Sequence, residues 1–302
     1  MTVPSLCYVT PSFAPDIERF ALLRRSLALF SPDIPHIAYV DTEDCAQFRD
    51  RFGQERNLEI VPTAELLPAA VEAERRFWRS WRGRVAERIG WRLKLGARPF
   101  TGWKLQQVIK LEAICRLPHD AAVFLDSDLV LCGRMEAADF FADGRLRLLE
   151  TPAASYEDFA FEIARQILVG APLLEPARAF NYIHQAPRFL TRTGQALRRH
   201  LDSRHTDWRV RFFRESFPSE YDLLGWATRV LEGYVGYHVE DTPPESWVYN
   251  VKTMDALDAQ LAECRAEGGH RKFILVQSNL RMPVAEYLPR VQALIEDLAA
   301  PR

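Results

Sequence analysis

Ala121-Ala122-Val123-Phe124-Leu125 runs apolar without a break and then meets Asp126-Ser127-Asp128, two carboxylates one residue apart. An unbroken apolar run of this length reads as a strand buried on both faces, which requires helices on both sides of its sheet. In extended backbone, residues i and i+2 point to the same side. Two like charges held side by side repel. A divalent cation removes that cost, because Mg²⁺ and Mn²⁺ take hard oxygen ligands, often one or two carboxylates plus the phosphates of a substrate. The plainer reading of Asp126 and Asp128 is an Asp-rich turn after a strand. A strand-ending pair in an alternating chain favours the site.

The rest of the chain alternates as such a sheet demands. Leu6–Thr10, His36–Val40 and Leu58–Val61 read as strands, and Asp16–Phe30 reads as a helix with Phe20, Leu23, Leu27 and Phe30 on one face. Thr42 precedes Glu43 and Asp44, an acidic first turn that suits a helix dipole. Leu105–Leu117 reads as the helix that runs into the acidic strand. Leu146–Leu149, Tyr237–Val239 and Phe273–Gln277 read as later strands. Ser155-Tyr156-Glu157-Asp158 and Ser219-Glu220-Tyr221-Asp222 resemble capping boxes that open helices. Val284, Leu288, Val291, Ile295 and Leu298 form the stripe of a last helix. This order predicts an α/β fold with a mostly parallel central sheet and right-handed crossovers. Sites in such sheets lie at the carboxyl ends of the strands. With no internal repeat or low-complexity linker, one domain is expected over residues 1–302. It carries a helical insert at about 65–103 and a mainly helical region at about 155–234.

Composition narrows the function. At 48% hydrophobic and 26% charged, the chain is neither disordered nor collagen-like. Its 39 basic and 41 acidic residues leave a formal net charge of -2. That argues against a polyanion-binding protein, so no nucleic-acid partner is expected, but it leaves room for a local basic patch. The five cysteines, at 7, 45, 115, 132 and 264, form no C-x-x-C pair, and a reducing cytosol fits. The N-terminus reads as no signal peptide, and no apolar run approaches the roughly 20 residues of a membrane span. The expected location is cytoplasmic, peripheral on the inner face of a membrane. No G-x-G-x-x-G follows the first strand, which disfavours a dinucleotide oxidoreductase.

Residues 72–104 stand apart. Ten Lys/Arg face three acids there, with Trp78, Trp81, Trp91 and Trp103 interleaved. Trp78, Trp81, Val85 and Ile89 fall at helical spacing. One reading is a cationic, aromatic helix that meets anionic lipid headgroups or a phosphate-bearing acceptor. The other is an insert with its Trp in the core and its Arg in water. A second run of arginines (Arg178, Arg188, Arg192, Arg198, Arg199, Arg204, Arg209, Arg211 and Arg214) reads either as a second basic wall or as a solvated helical face.

Four pieces of the chain carry a family resemblance. They are Tyr8-Val9-Thr10-Pro11-Ser12-Phe13 with Asp16; Gly102-Trp103-Lys104-Leu105-Gln106-Gln107 with Lys110-Leu111; Phe124-Leu125-Asp126-Ser127-Asp128; and Phe217-Pro218-Ser219-Glu220-Tyr221. Over residues 5–280 the sequence resembles GT-A-fold nucleotide-sugar glycosyltransferases, and within them an uncharacterised bacterial glycosyltransferase-like family. The resemblance implies a Rossmann-like GT-A sheet. It also implies a sugar moved from a nucleotide-sugar donor, UDP- before GDP-, to a carbohydrate or lipid-linked acceptor in surface-polysaccharide assembly.

The resemblance also assigns roles. Asp128 would hold Mn²⁺ or Mg²⁺ directly, and Asp126 would hold it through water or meet the ribose. Thr10, Ser12 and Asp41 would line the nucleotide, although turn chemistry explains Thr10 and Ser12 as well, and a helix N-cap explains Asp41. Gln107 and Lys110 are i, i+3 neighbours on one helix face. The lysine, scarce in a chain with five, suggests a compact charge aimed at phosphate or sugar oxygen, unless it is simply solvated. Glu220 is the candidate base, with a plain acidic first turn as its alternative. His238 is a candidate metal ligand from a late strand. Gln277 and Ser278 are candidate lining residues where that family more often carries a histidine. Two rivals stand beside this reading. One is a haloacid-dehalogenase-type phosphatase using Asp126-Ser127-Asp128-Leu129-Val130, against which no lysine lies between Asp128 and Lys252. The other is a non-enzymatic Arg/Trp-rich binding module.

Overall fold

The computed structural model describes residues 4–83, 85, 102–152, 180–214, 219–240, 248–277 and 282–300. Strands β1 (Leu6–Ser12), β2 (His36–Val40), β3 (Leu58–Pro62) and β4 (Ala121–Phe124) lie parallel in one sheet. The remaining strands are β5 (Leu129–Leu131), β6 (Phe141–Ala142), β7 (Arg145–Leu149), β8 (Thr151–Pro152), β9 (Phe180–Asn181), β10 (Arg188–Leu190), β11 (Tyr237–Glu240), β12 (Val248–Val251) and β13 (Phe273–Val276). The main sheet runs β10-β4-β1-β2-β3, with β10 antiparallel at its edge. The expected α/β architecture with a mostly parallel sheet is what the chain forms. The later strands build smaller sheets, β11-β7-β6 and β12-β13-β5. Strands β5, β10 and β12 are additions that the sequence pattern does not announce.

The helices are α1 (Ile17–Phe30), α2 (Cys45–Phe52), α3 (Ala69–Arg79), α4 (Gly102–Ile114), α5 (Thr191–Arg204), α6 (Trp208–Arg214), α7 (Glu220–Val230), α8 (Met254–Ala266) and α9 (Val284–Ala299). Among the described residues, none is long and apolar enough to cross a membrane. The box expected at Ser155–Asp158 lies outside the described residues.

Strand β2 shows why the sheet is covered on both faces. Ala38 and Val40 join Ile17, Phe20, Cys45, Phe48 and Phe52 in one core, while Ile37 and Tyr39 enter the larger core on the other side. The Phe20 ring sits 5.2 Å from both Phe48 and Phe52. Edge strand β3 has no fully buried residue, leaves Glu59 exposed, and ends on Pro62, which an edge tolerates.

Helix α4 lies in the larger core. Its Glu112 is fully buried and draws in Arg116 (3.1 Å), Arg198 (3.7 Å) and Arg209. Those contacts fasten α5 and α6 to α4. The expected second basic wall is thus partly internal: Arg198 and Arg209 serve Glu112, and buried Arg188 donates Nε to the Arg147 carbonyl (2.6 Å). Arg178 lies outside the described residues.

Chain order and strand order together locate the site. From β1 the chain steps outward to β2 and β3, then returns to place β4 on the other flank of β1. The carboxyl ends of β1 and β4 therefore bound a topological switch point, where open α/β sheets form their crevice. Helix α7 reaches this place by packing flush against Tyr182, the residue after β9. Gly225 faces the Tyr182 ring so closely that a Cβ there would run into it. Gly225→Ala is expected to destabilise the fold by about 1–3 kcal/mol through overpacking, read as a lower urea midpoint with an unchanged slope.

Candidate functional site

Parallel pairing of β4 with β1 continues one residue past the strand, where Leu125 N donates to the Val9 carbonyl at 3.0 Å. The chain then turns, with Leu129 N donating to the Asp126 carbonyl at 3.0 Å. Asp126 and Asp128 thus sit in a tight turn and not in extended backbone, so the same-side argument for their side chains does not hold. Ser127 is turned inward, its Oγ 3.1 Å from Ser12 Oγ at the end of β1. The Asp126 side chain is 51% exposed, and Asp128 is half-buried.

The charge of Asp126 is met by a protein cation. Lys110, on α4 and almost fully buried, places Nζ 2.8 Å from Asp126 Oδ1, 3.0 Å from Glu220 Oε1 and 2.6 Å from the Tyr221 hydroxyl. An ammonium has three protons, and each has an acceptor here. Burial works to discharge Lys110, but the Asp126 and Glu220 carboxylates outweigh it and hold the ammonium well above its usual range. Burial raises Glu220 above the ordinary carboxylate range, with Lys110 pulling it back. It also raises Tyr221 well above the phenol range, so that side chain stays protonated.

Local sequence explains why Glu220 stands there. Ser219 Oγ accepts from Asp222 N at 3.1 Å and caps α7, so Glu220 is the first residue of the helix, where the dipole favours a negative charge. Asp222 also accepts from Tyr182 N at 3.0 Å, which ties the helix start to β9.

A second carboxylate cluster faces the turn. Asp16, just before α1, pairs with Arg19 at 2.6 Å, and Arg19 Nε donates to the Tyr287 hydroxyl at 3.0 Å. Burial raises Asp16 against the pull of Arg19, and Asp126 adds to the rise. Tyr287 is raised by burial against Arg19, with Asp128 and Asp16 adding to it. Asp16, Asp126 and Asp128 therefore share one field, with Arg19 and Lys110 as counter-charges.

The other expected residues fall in different places. Asp41, at the end of β2, is buried, contacts Arg75 and lies 3.1 Å from Arg79. Burial would raise it, but the two guanidiniums hold it below the usual range. It stands at the N-cap position of the turn at 42–44, but its side chain makes no capping hydrogen bond, and among the described residues its Oδ1 has no hydrogen-bond partner. Thr10 is fully buried and turned away from the edge, its hydroxyl 2.8 Å from His36 Nε2. Arg24 NH1 lies 3.0 Å from His36 Nδ1, which must accept from it, so Nε2 carries the proton and donates to Thr10. Burial first, and then Arg24, keep His36 neutral.

Gln107 is buried on α4, and among the described residues neither amide atom has a hydrogen-bond partner. Gln277 follows β13, whose Val276 N donates to the Asp128 carbonyl at 3.2 Å. Ser278 lies outside the described residues. His238 is on β11, in another sheet, with Nδ1 3.3 Å from Arg145 and Nε2 3.9 Å from Glu240. It does not join Asp126 and Asp128: its strand pairs with β7, whereas the late strand that reaches the turn is β13. Among the described residues, no group of three or more His, Cys, Asp or Glu is placed to hold a metal ion. The donor set at the turn therefore fits a divalent cation only in the open form, in which one or two carboxylates hold it and substrate phosphates complete the shell.

Tyr221, Asp16, Arg19 and Tyr287 are site residues that the reasoning from spacing missed. Tyr221 and Asp16 did stand in the motif pieces above, which was the one available signal. Lys110 is buried, and its pairing removes it from direct phosphate contact. Lys110→Met would leave Glu220 buried beside Asp126 without a counter-charge. It is expected to cost about 3–5 kcal/mol, read as a lowered denaturant midpoint.

Comparison with known proteins adds little to this geometry. A family model described as a family of unknown function, DUF6492, matches residues 4–299. No curated protein matches the chain. Among solved structures, the galactosyltransferase LgtC, in complex with donor and acceptor sugar analogs, is similar at 11% identity and a TM-score of 0.44. The match covers 98% of this chain and 97% of that one. A likeness this loose carries no argument about activity.

Proposed function

The chain belongs to this family of unknown function, so its activity has to be read from its own residues, and we propose that it is a glycosyltransferase. It moves a sugar from a nucleotide-sugar donor, UDP-linked first, to a carbohydrate or lipid-linked acceptor in bacterial glycan assembly. One observation carries the reading. An acidic turn open to solvent stands at the switch point of a parallel sheet, with a proton-accepting carboxylate one lysine behind it.

In the transfer, an acceptor hydroxyl oxygen attacks the anomeric carbon while the bond from that carbon to the diphosphate oxygen breaks. The hydroxyl proton passes to Glu220, whose raised proton affinity suits it to the task. Lys110 orients that carboxylate and holds Asp126 at the rim. Mn²⁺ or Mg²⁺, held by Asp128 with Asp126 and by the donor's phosphates, would neutralise the leaving diphosphate. Ser12 and Gln277, which border the turn, would line the donor. Gln107, whose amide has no hydrogen-bond partner among the described residues, is a further candidate on the helix that carries Lys110.

One contact favours a second reading. A lysine 2.8 Å from Asp126 is what a phosphatase would use to steady a phosphoaspartate. Against it, the Lys110 protons are already shared with Glu220 and Tyr221.

Thermal unfolding with UDP, GDP, CMP or dTDP, each with and without Mn²⁺, tests the proposal. A ligand at about 100 times its Kd adds about 2.7 kcal/mol to the folded state. UDP with Mn²⁺ is expected to raise the melting temperature, and Asp128→Ala is expected to abolish the rise. No response to any nucleotide, together with phosphate release from phosphosugars, would establish the phosphatase instead. The acid limb of the transfer rate is expected above pH 4.5, the ordinary value for glutamate, because burial raises Glu220. Below that limb the base is protonated and the rate falls. Glu220→Gln should remove the limb along with most of the activity, by about 10²–10⁴-fold.

A further inference from the structure

Every exposed aromatic side chain among the described residues lies in one stretch: Phe77 (45% exposed), Trp81 (65%) and Trp103 (52%). Trp78 does not share this exposure, because it packs against the core. The difference comes from Ser80, which ends α3 in extended backbone and then caps the next helical turn by accepting from Gly83 N at 3.2 Å. That break turns Trp81 outward, with Arg82 over its ring at 5.5 Å. Trp78 thus meets the core, while Trp81 meets solvent.

Charge is segregated along the same stretch. Two of its three acids lie on α3 before Arg75 and Arg76, where Glu72 pairs with Arg75 and Glu74 accepts from Trp78 Nε1, and the third, Glu87, lies outside the described residues. From Arg76 to Val85 the sequence holds no acid. Arg76, Arg79 and Arg82 are exposed beside Phe77, Trp81 and Val85. Among the described residues, neither Arg76 nor Arg82 has a carboxylate partner. Exposed apolar surface of this kind marks an interaction site, and aromatic side chains set among cations match an interface that is apolar below and anionic above. A second copy of the chain fits poorly, since self-association would bring arginines against arginines.

We propose that the stretch from Arg76 to Val85 docks the protein on an anionic lipid bilayer, with Phe77 and Trp81 inserted among the headgroups. The stretch is clamped to the sheet's carboxyl edge. Arg75 and Arg79 hold Asp41, Asp41 N donates to the Ser12 carbonyl at 3.2 Å, and Ser12 reaches Ser127. A docked protein would therefore present Asp126 near the bilayer, where a lipid-borne acceptor lies. The docking itself does not rest on the glycosyltransferase reading.

Co-sedimentation of the full chain with vesicles tests it. Vesicles of phosphatidylcholine with phosphatidylglycerol are expected to carry the protein down, high salt to release it, and pure phosphatidylcholine to bind it at least about tenfold more weakly. Phe77→Ser with Trp81→Ser, and separately Arg76→Glu with Arg82→Glu, should each lower binding about tenfold or more. In wild type, brominated-chain lipids should quench the tryptophan fluorescence, and Trp81→Phe should bind normally but lose most of the quenching. This variant keeps the test informative even where the double variants fail to fold. Equal binding to both vesicle types, unchanged quenching in Trp81→Phe, or a dimer in gel filtration that Phe77→Ser with Trp81→Ser dissolves would each overturn the proposal. Nucleotide-dependent thermal shifts report separately on the transfer reading, so failure of one leaves the other standing.

Discussion

The ammonium of Lys110 is the interaction on which the site depends. A charge nine-tenths or more removed from water is tolerated only when it is paired and fully hydrogen-bonded. Lys110 meets that condition with three acceptors from two places: Asp126 in the turn after β4, and Glu220 with Tyr221 at the start of α7. Each acceptor group also needs the lysine. Glu220 is buried in its own right, and Asp126 lies in the field of both Asp16 and Glu220, which the lysine offsets. One lysine, two carboxylates and a phenol sum to a net charge of -1. The cluster is thus neither neutral nor repulsive, and it can take a proton or attract a cation.

That hub works because the fold brings it to the right edge. The return of the chain from β3 to β4 opens the crevice at the ends of β1 and β4, and the Ser12–Ser127 contact closes its floor. On one side Asp16, Arg19 and Tyr287 join α1 to α9 beside the acidic turn. On the other, Asp41 has become the counter-ion that anchors α3. A residue expected to read a nucleotide instead holds the basic, aromatic segment against the rim. The Arg75 and Arg79 guanidiniums, which lie within the stretch that stood out by composition, explain that change of role.

Much of the scaffold was legible from pattern. The strands at 6–10, 36–40, 58–61 and 121–125 were visible because each is a short, mainly apolar segment. The helix at 17–30 was visible from its Phe20, Leu23, Leu27, Phe30 stripe. The acidic end of β4 stood out for the same reason, since nothing in the period of a buried strand calls for two carboxylates. Thr10 was misplaced because hydroxyl-bearing turn residues look alike in sequence whether they face the edge or the interior. Only the parallel register of β1 on β2 sets Thr10 near His36, and only Arg24 decides the tautomer that completes the bond. His238 was misplaced because a strand's period says nothing of which sheet it joins.

What the sequence determined by itself is therefore the local periodicity: which segments are strands, which helix faces are apolar, and that a buried strand ends in acid. Those are properties of neighbours along the chain, and burial imposes them wherever the segment lies. What the tertiary structure decided is which charge answers which. Lys110 and Tyr221 are 111 residues apart, and nothing local distinguishes a lysine aimed at a ligand from one spent on a carboxylate. Coulomb and desolvation energies depend on separation in space and on depth from water, and both are set only when α4, β4 and α7 pack together.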